Sequence, residues 1–188
     1  MKNIAVFASG NGSNFEAIAT AVKAGELCAN ISLLVCDKPG AHVISRAEAH
    51  GIPVFTFSPK SYPSKEAYEI EIQALLQERE IEFIILAGYM RLIGHTLLEA
   101  YPKQIINIHP SLLPLFPGMR AIEQAYESGA SKTGVTVHYV DEGMDTGPII
   151  AQCTVEIEKT DTLENLKQRI HQAEHLLYIQ TLQELFQD

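Results

Sequence analysis

Asn107 and His109 stand two residues apart at the end of the apolar run Gln104-Ile-Ile-Asn-Ile-His109, and a Pro-bounded turn, Pro110 to Pro114, follows. Side chains two apart on a strand share a face, so the amide and the imidazole would project together. An amide donor beside an imidazole can stabilise a developing oxyanion. Pro110 and Pro114 stiffen the loop that follows. A lone histidine in such a run would read as a packing residue. The Asn partner and the carboxyl end of an α/β strand, where ligands collect, favour chemistry instead.

A second segment, Asp141-Glu142-Gly143-Met144-Asp145-Thr146-Gly147-Pro148, carries three carboxylates among turn residues. A carboxylate near His109 would favour the imidazolium and orient the ring. Spacing does not tell which of the three does so, and the same residues would also make a solvated acidic turn. A third segment, Ser9-Gly10-Asn11-Gly12-Ser13-Asn14, lies between an apolar run and a helical pattern. Glycines admit a ligand close to the backbone, and a helix N-terminus offers free N–H groups and positive dipole. That is a phosphate cradle. Phe15 replaces the last glycine of a dinucleotide fingerprint, and Asp37 lies 27 residues after Gly10 rather than about 20, so the match to that fingerprint is weak. His42, His50, His95, His138 and His171 lack patterned partners and read as surface or packing residues. Glu174 and His175 are adjacent, so on a helix they face different directions.

These segments need elements to position them. Strands are expected at residues 4–8, 31–36, 53–57, 82–87 and 104–109, with helices at about 15–23, through 47–50, from the N-cap Ser64 through Tyr68, Ile72, Leu75 and Leu76, and at 95–100. Alternation of this kind argues for a parallel sheet with helices on both faces. Residues 134–140 and 148–157 then read as two consecutive strands, which implies a mixed or antiparallel edge. Asp161 with Glu164 resembles a capping box opening a long helix that carries Leu163, Leu166, Ile170, Leu177 and Leu185. The expected fold is a single-domain, Rossmann-like α/β unit over residues 1–188.

With 14 basic and 23 acidic side chains the net charge is −9, and the basic residues form no cluster, which argues against nucleic acid as the main partner. Three cysteines with no C-x-x-C suggest neither a disulfide framework nor a zinc site. The N-terminal apolar run is too short for a signal segment, and no run reaches membrane-spanning length. A reduced, cytoplasmic protein without a membrane partner is expected.

The combination Ser9–Asn14, Leu86-Ala-Gly-Tyr-Met-Arg91, Asn107–Pro114 and Met144–Pro148 resembles the phosphoribosylglycinamide formyltransferases, folate-dependent enzymes of purine biosynthesis within the formyltransferase superfamily. The resemblance runs from Lys2 to about Leu185. The early Gly-rich loop and the short length set it apart from methionyl-tRNA formyltransferases, which are longer and end in a tRNA-binding barrel, and from formyltetrahydrofolate hydrolases, which begin with a regulatory domain. The resemblance implies transfer of a formyl group from 10-formyltetrahydrofolate, as cosubstrate, to a ribonucleotide amine. It casts Asn107, His109 and Asp145 as catalytic residues. Gly12, Ser13 and Asn14 would hold the ribonucleotide phosphate, and Glu174 would contact the ribonucleotide. Met90, Arg91, Leu92 and Val140 would line the folate pocket. It implies no metal, small-molecule partners only, and a monomer or homodimer. Residues up to about 105 would form the ribonucleotide half, and 106–188 the catalytic and folate half. No role is assigned to Met119–Ile122. Two other readings fit less of the chain. A nicotinamide oxidoreductase would use Gly10, Gly12 and Asp37, and a nucleotide sensor would leave Asn107 with His109 unexplained.

Overall fold

Ile4, Val6 and Ala8 alternate with Ala5 and Phe7 along the first strand, and all five are fully buried. A strand apolar on both faces requires cover on both. The computed structural model, which describes residues 1–187, supplies it with one seven-stranded sheet between two helical layers. The strands are β1 (Lys2–Ala8), β2 (Ala29–Cys36), β3 (Val54–Thr56), β4 (Phe83–Leu86), β5 (Ile105–His109), β6 (Lys132–Tyr139) and β7 (Ile149–Glu156), in the order β3-β2-β1-β4-β5-β6-β7. The first five are parallel, β6 runs antiparallel to β5, and β7 antiparallel to β6.

The helices are α1 (Ser13–Lys23), α2 (His42–Ala49), α3 (Lys65–Glu78), α4 (His95–Ala100), α5 (Ala121–Glu127) and α6 (Leu163–Leu185). Ile4, Val6 and Ala8 pack with Phe15, Ile18, Val43, Ile122, Leu166 and Ile170, which belong to α1, α2, α5 and α6. Ala5 and Phe7 pack with Tyr68, Ile72, Leu76 and Leu97 of α3 and α4. Ser64 caps α3 by accepting the Ala67 N–H at 3.1 Å. The chain passes from β1 outward to β2 and β3, then returns to β4 on the other side of β1. Strand order therefore reverses between β1 and β4, the point where open α/β sheets form a crevice beyond the strands' carboxyl ends.

The α/β order follows the sequence pattern, and three local details differ. Helix α5 follows Arg120, which sits in left-handed backbone at φ 57°, in a stretch without helical periodicity long enough to read. Thr162, not Asp161, caps α6 by accepting the Asn165 N–H at 3.2 Å. Asp161 instead pairs with Arg169 and accepts the Glu158 N–H, so no capping box forms. On α6 the buried stripe is Leu166, Ile170, Glu174, Tyr178, Thr181 and Leu182, with Leu177 and Leu185 only partly buried at its margin. Among the described residues no helix is long and apolar enough to cross a membrane.

Candidate active site

The first component follows β1. Gly12 takes φ 80° and caps α1, a conformation that disfavours any side chain. A Cβ at Gly12 would also come within 2.7 Å of Val43 Cβ, so α2 closes against the loop. By position, the first-turn N–H groups of Ser13, Asn14 and Phe15 have no intrahelical acceptor. Arg46 of α2 braces the loop, donating from Nε to Asn11 O (2.8 Å) and from Nη2 to Asn11 Oδ1 (3.0 Å). Glu16, in the first turn of α1, would oppose an anion. Its hydrogen bond with His50 (2.9 Å), assisted by Arg46, holds its carboxyl below the usual range.

Glu174 of α6 comes to the same place. It is 6% exposed, and burial pushes its carboxyl up to about 7, against a smaller opposing effect of the Asn14 side chain. Asn14 Oδ1 is buried there without a hydrogen-bond partner. Helix α6 packs on α1, which brings Glu174 beside Asn14, while the adjacent His175 lines the α1 surface with Ser13 and Glu16. A carboxyl near half-protonation and an orphaned amide oxygen suit neutral hydroxyl groups next to a phosphate.

The second component ends β5. His109 is buried, and its Nε2 contacts Phe116 O at 2.8 Å. A carbonyl only accepts, so Nε2 carries a hydrogen and Nδ1 is the nitrogen that faces Asp145 Oδ2, at 3.4 Å. Of the three acids in the 141–148 loop, Asp145 is thus the one at the imidazole. Asp141 is engaged within its own turn by Gly143 N (3.0 Å) and Thr146 Oγ1 (2.6 Å), and Glu142 is exposed. Asp145 adopts φ 56° and accepts the Gly118 N–H at 2.8 Å. Phe116 and Arg120 also have positive φ, so among the described residues three of the five non-glycine residues of this kind lie in the two loops around His109. Such backbone persists where surrounding contacts enforce it, and functional sites are enriched in it.

His138, read from sequence as a packing residue, belongs to this cluster. The antiparallel register places it directly across from Asn107. Its Nδ1 contacts Tyr139 O at 2.8 Å and must donate, while burial depresses its pKa and keeps the ring neutral. Nε2 is therefore a lone-pair acceptor for Asn107 Nδ2 at 3.2 Å, and it lies 3.8 Å from Asp145 Oδ1. That contact fixes which end of the Asn107 amide bears hydrogens and leaves one Nδ2 hydrogen uncommitted. A sequence signal existed only in the two-residue periodicity that puts Thr136 and His138 on one face of β6; the register to β5 was not readable.

The third component follows β4. The irregular segment Gly88–Gly94 carries Met90 and Leu92, 62% and 47% exposed, with Arg91 between them. Exposed apolar side chains beside a polar cluster are the usual lining of a small-molecule cleft. Val140 is half-buried against the α3/α4 core at the start of the Asp145 loop, its N–H bonded to Ile105 O at 3.0 Å. Since β1, β4 and β5 are successive in the sheet, all three components share its carboxyl edge. Among the described residues no group of three His, Cys, Asp or Glu side chains is arranged to hold a metal ion.

A doubly wound sheet with an anion cradle after its first strand and an amide–imidazole–carboxylate cluster two strands away defines an α/β group-transfer enzyme. The formyl transferase family model matches residues 2–182. The chain is 60% identical over 185 residues to a phosphoribosylglycinamide formyltransferase of Bacillus subtilis, covering 98% of this chain and 95% of that one. The crystal structure of glycinamide ribonucleotide transformylase 1 from Geobacillus kaustophilus superposes with a TM-score of 0.96 at 62% identity, covering 98% of each chain. That of phosphoribosylglycinamide formyltransferase from Bacillus halodurans gives 0.96 at 58% identity, over 100% of this chain and 96% of the other. The chain belongs to the formyl transferase family and, within it, to the phosphoribosylglycinamide formyltransferases.

Proposed function

We propose that the protein transfers a formyl group from 10-formyltetrahydrofolate to the amine of phosphoribosylglycinamide. The observation that carries this reading is the cluster of Asn107, His138, Asp145 and His109 on the same sheet edge as the Ser13–Phe15 N–H cradle. The ribonucleotide phosphate accepts hydrogen bonds from the cradle, and its ribose hydroxyls meet Glu174 and Asn14 Oδ1. The donor lies along Met90, Arg91 and Leu92, with Val140 and the loop after it forming the far wall.

The amine lone pair attacks the formyl carbon, and the carbonyl π electrons move onto oxygen. The uncommitted Asn107 Nδ2 hydrogen donates to that oxyanion, a stabilisation absent from the ground state, and a protonated His109, its two N–H groups engaged by Phe116 O and Asp145, adds positive charge beside it. Asp145 holds His109 as imidazolium through Nδ1 and accepts the amine proton, directly or through water. The same proton passes to the leaving N10 nitrogen as the C–N10 bond breaks, so no covalent enzyme intermediate is required. Both substrates are anionic, while the chain carries −9. Recognition therefore falls to oriented local donors. The test is turnover with 10-formyltetrahydrofolate and two competing acceptors, the ribonucleotide and charged initiator tRNA. Formylation of the ribonucleotide alone is expected; no product with either, or product on tRNA, overturns the assignment.

A further inference from the structure

Asp37 follows β2, Ser9 follows β1 and Arg91 lies just beyond β4. These strands are adjacent in the order β2-β1-β4, so their carboxyl ends set the three residues in a row. The Asp37 side chain is 1% exposed, and a carboxylate so buried requires partners for its lone pairs. One oxygen accepts the Ser9 hydroxyl at 2.5 Å, and the other accepts Arg91 Nε at 2.9 Å. Ser9 is itself buried, and its Oγ accepts the Met90 N–H at 2.8 Å. Ser9 N–H bonds Gly88 O at 3.0 Å.

Two further ties fix the other end of the same segment. Lys65 Nζ donates to Leu92 O at 2.8 Å, and Gly94 N–H donates to the buried Glu69 Oε2 at 2.8 Å. Residues 88–94 have no helix or strand of their own, yet they are held at five points by neighbouring elements. Arg91 is the one charged side chain among them. Its Nε is committed inward, whereas Nη1 and Nη2 have no protein partner among the described residues and the side chain is 40% exposed. A guanidinium is a rigid planar fork, so fixing Nε sets the direction in which its remaining four hydrogens point. The neighbouring buried carboxylate offsets part of the positive charge. What the pair gains is direction rather than field.

We propose that Asp37 is a positioning residue that aims Arg91 at the bound formyl donor, with Ser9 holding the Asp37 carboxylate and the Met90 peptide in register. This rests on the formyl-transfer reading above. A double-mutant cycle of Asp37→Asn and Arg91→Gln tests it. Donor and ribonucleotide KM, kcat and thermal midpoint are measured for each variant, alongside calorimetric binding of 5-formyltetrahydrofolate. Asp37→Asn, nearly isosteric, is expected to raise donor KM about tenfold, with kcat and ribonucleotide KM within twofold of wild type. In the Arg91→Gln background the same change should add less than twofold, because Asp37 acts through Arg91. Multiplicative effects, or a loss confined to the ribonucleotide KM, overturn the proposal. Arg91→Lys, which keeps the charge but not the fork, should match Asp37→Asn in donor KM and keeps the proposal testable if the latter fails to fold. A wild-type donor KM in that variant overturns it too. Wild-type protein that transfers no formyl group overturns the functional reading itself, whereas normal transfer with a multiplicative cycle overturns only the role of Asp37.

Discussion

The Gly-rich cradle after β1 and the polar cluster at the end of β5 are built on different principles. At the cradle the ligand-facing groups are mostly backbone N–H donors at a helix start, shaped by Gly12 and braced by Arg46. Their polarity does not titrate, and it persists in a chain of net charge −9. At the end of β5 the groups are side chains, Asn107, His109, His138 and Asp145, whose hydrogens depend on protonation and on one another. The first region is specified by one contiguous segment. The second needs an antiparallel partner strand and a strained loop. Binding can be local, whereas a proton-handling cluster requires groups from several elements to agree on where each hydrogen sits.

The largest expected effect severs the two regions. Asp145→Asn keeps an acceptor for Gly118 N–H and tolerates φ 56° but cannot hold the imidazolium or take a proton. It should lower kcat about 10²–10³-fold, about 3–4 kcal/mol of barrier, with ribonucleotide affinity by calorimetry unchanged. Retention of more than a tenth of the wild-type kcat contradicts the role given to Asp145.

Glu174→Gln probes the buried carboxyl of the cradle region. Its folded pKa, about 7, lies above the ordinary 4.5, so the folded state holds the proton longer than the unfolded chain. The stabilisation is complete below about pH 4.5 and lost as pH rises through about 7, up to about 3 kcal/mol in all. Urea unfolding should show Glu174→Gln gaining on the wild type between pH 5 and pH 8. A constant difference across that range refutes the buried-carboxyl account.

Gly12→Ala forces a side chain into left-handed backbone against Val43. It should cost about 1–3 kcal/mol of stability and raise ribonucleotide KM about tenfold while sparing kcat. An equal fall in kcat would mean that the two ends are not separable. The smallest effect is expected at His138→Leu, which frees the Asn107 amide to rotate. Loss of about 1 kcal/mol of transition-state stabilisation should reduce kcat several-fold at unchanged KM for both substrates, in steady-state assays at saturating second substrate.

Much of the scaffold was legible from periodicity. The apolar runs 4–8 and 82–87 and the helical stripe after Ser64 are local patterns, and each became the expected element. Helix α5 and the Thr162 cap were not legible, since one is two turns long and the other depends on whether Asp161 finds Arg169. The site divides similarly. Ser9–Asn14 and Asn107 with His109 can be recognised because their chemistry and spacing lie within a few residues. His138 was missed because its importance depends on standing opposite Asn107, and a shift of one residue in register would turn it to the other face.

The sequence by itself determined the α/β order, the glycine-shaped helix start and the amide–imidazole pair, because these follow from local sterics, hydrophobic period and side-chain chemistry. Tertiary structure alone decided that Asp145 rather than Asp141 or Glu142 meets His109, that His138 orients Asn107, that Glu174 faces the cradle, and that Asp37 lies buried under Arg91. Each of these depends on strand neighbours, register or burial created by residues distant in the chain. Those quantities set hydrogen positions and pKa values, and no short window of sequence contains them.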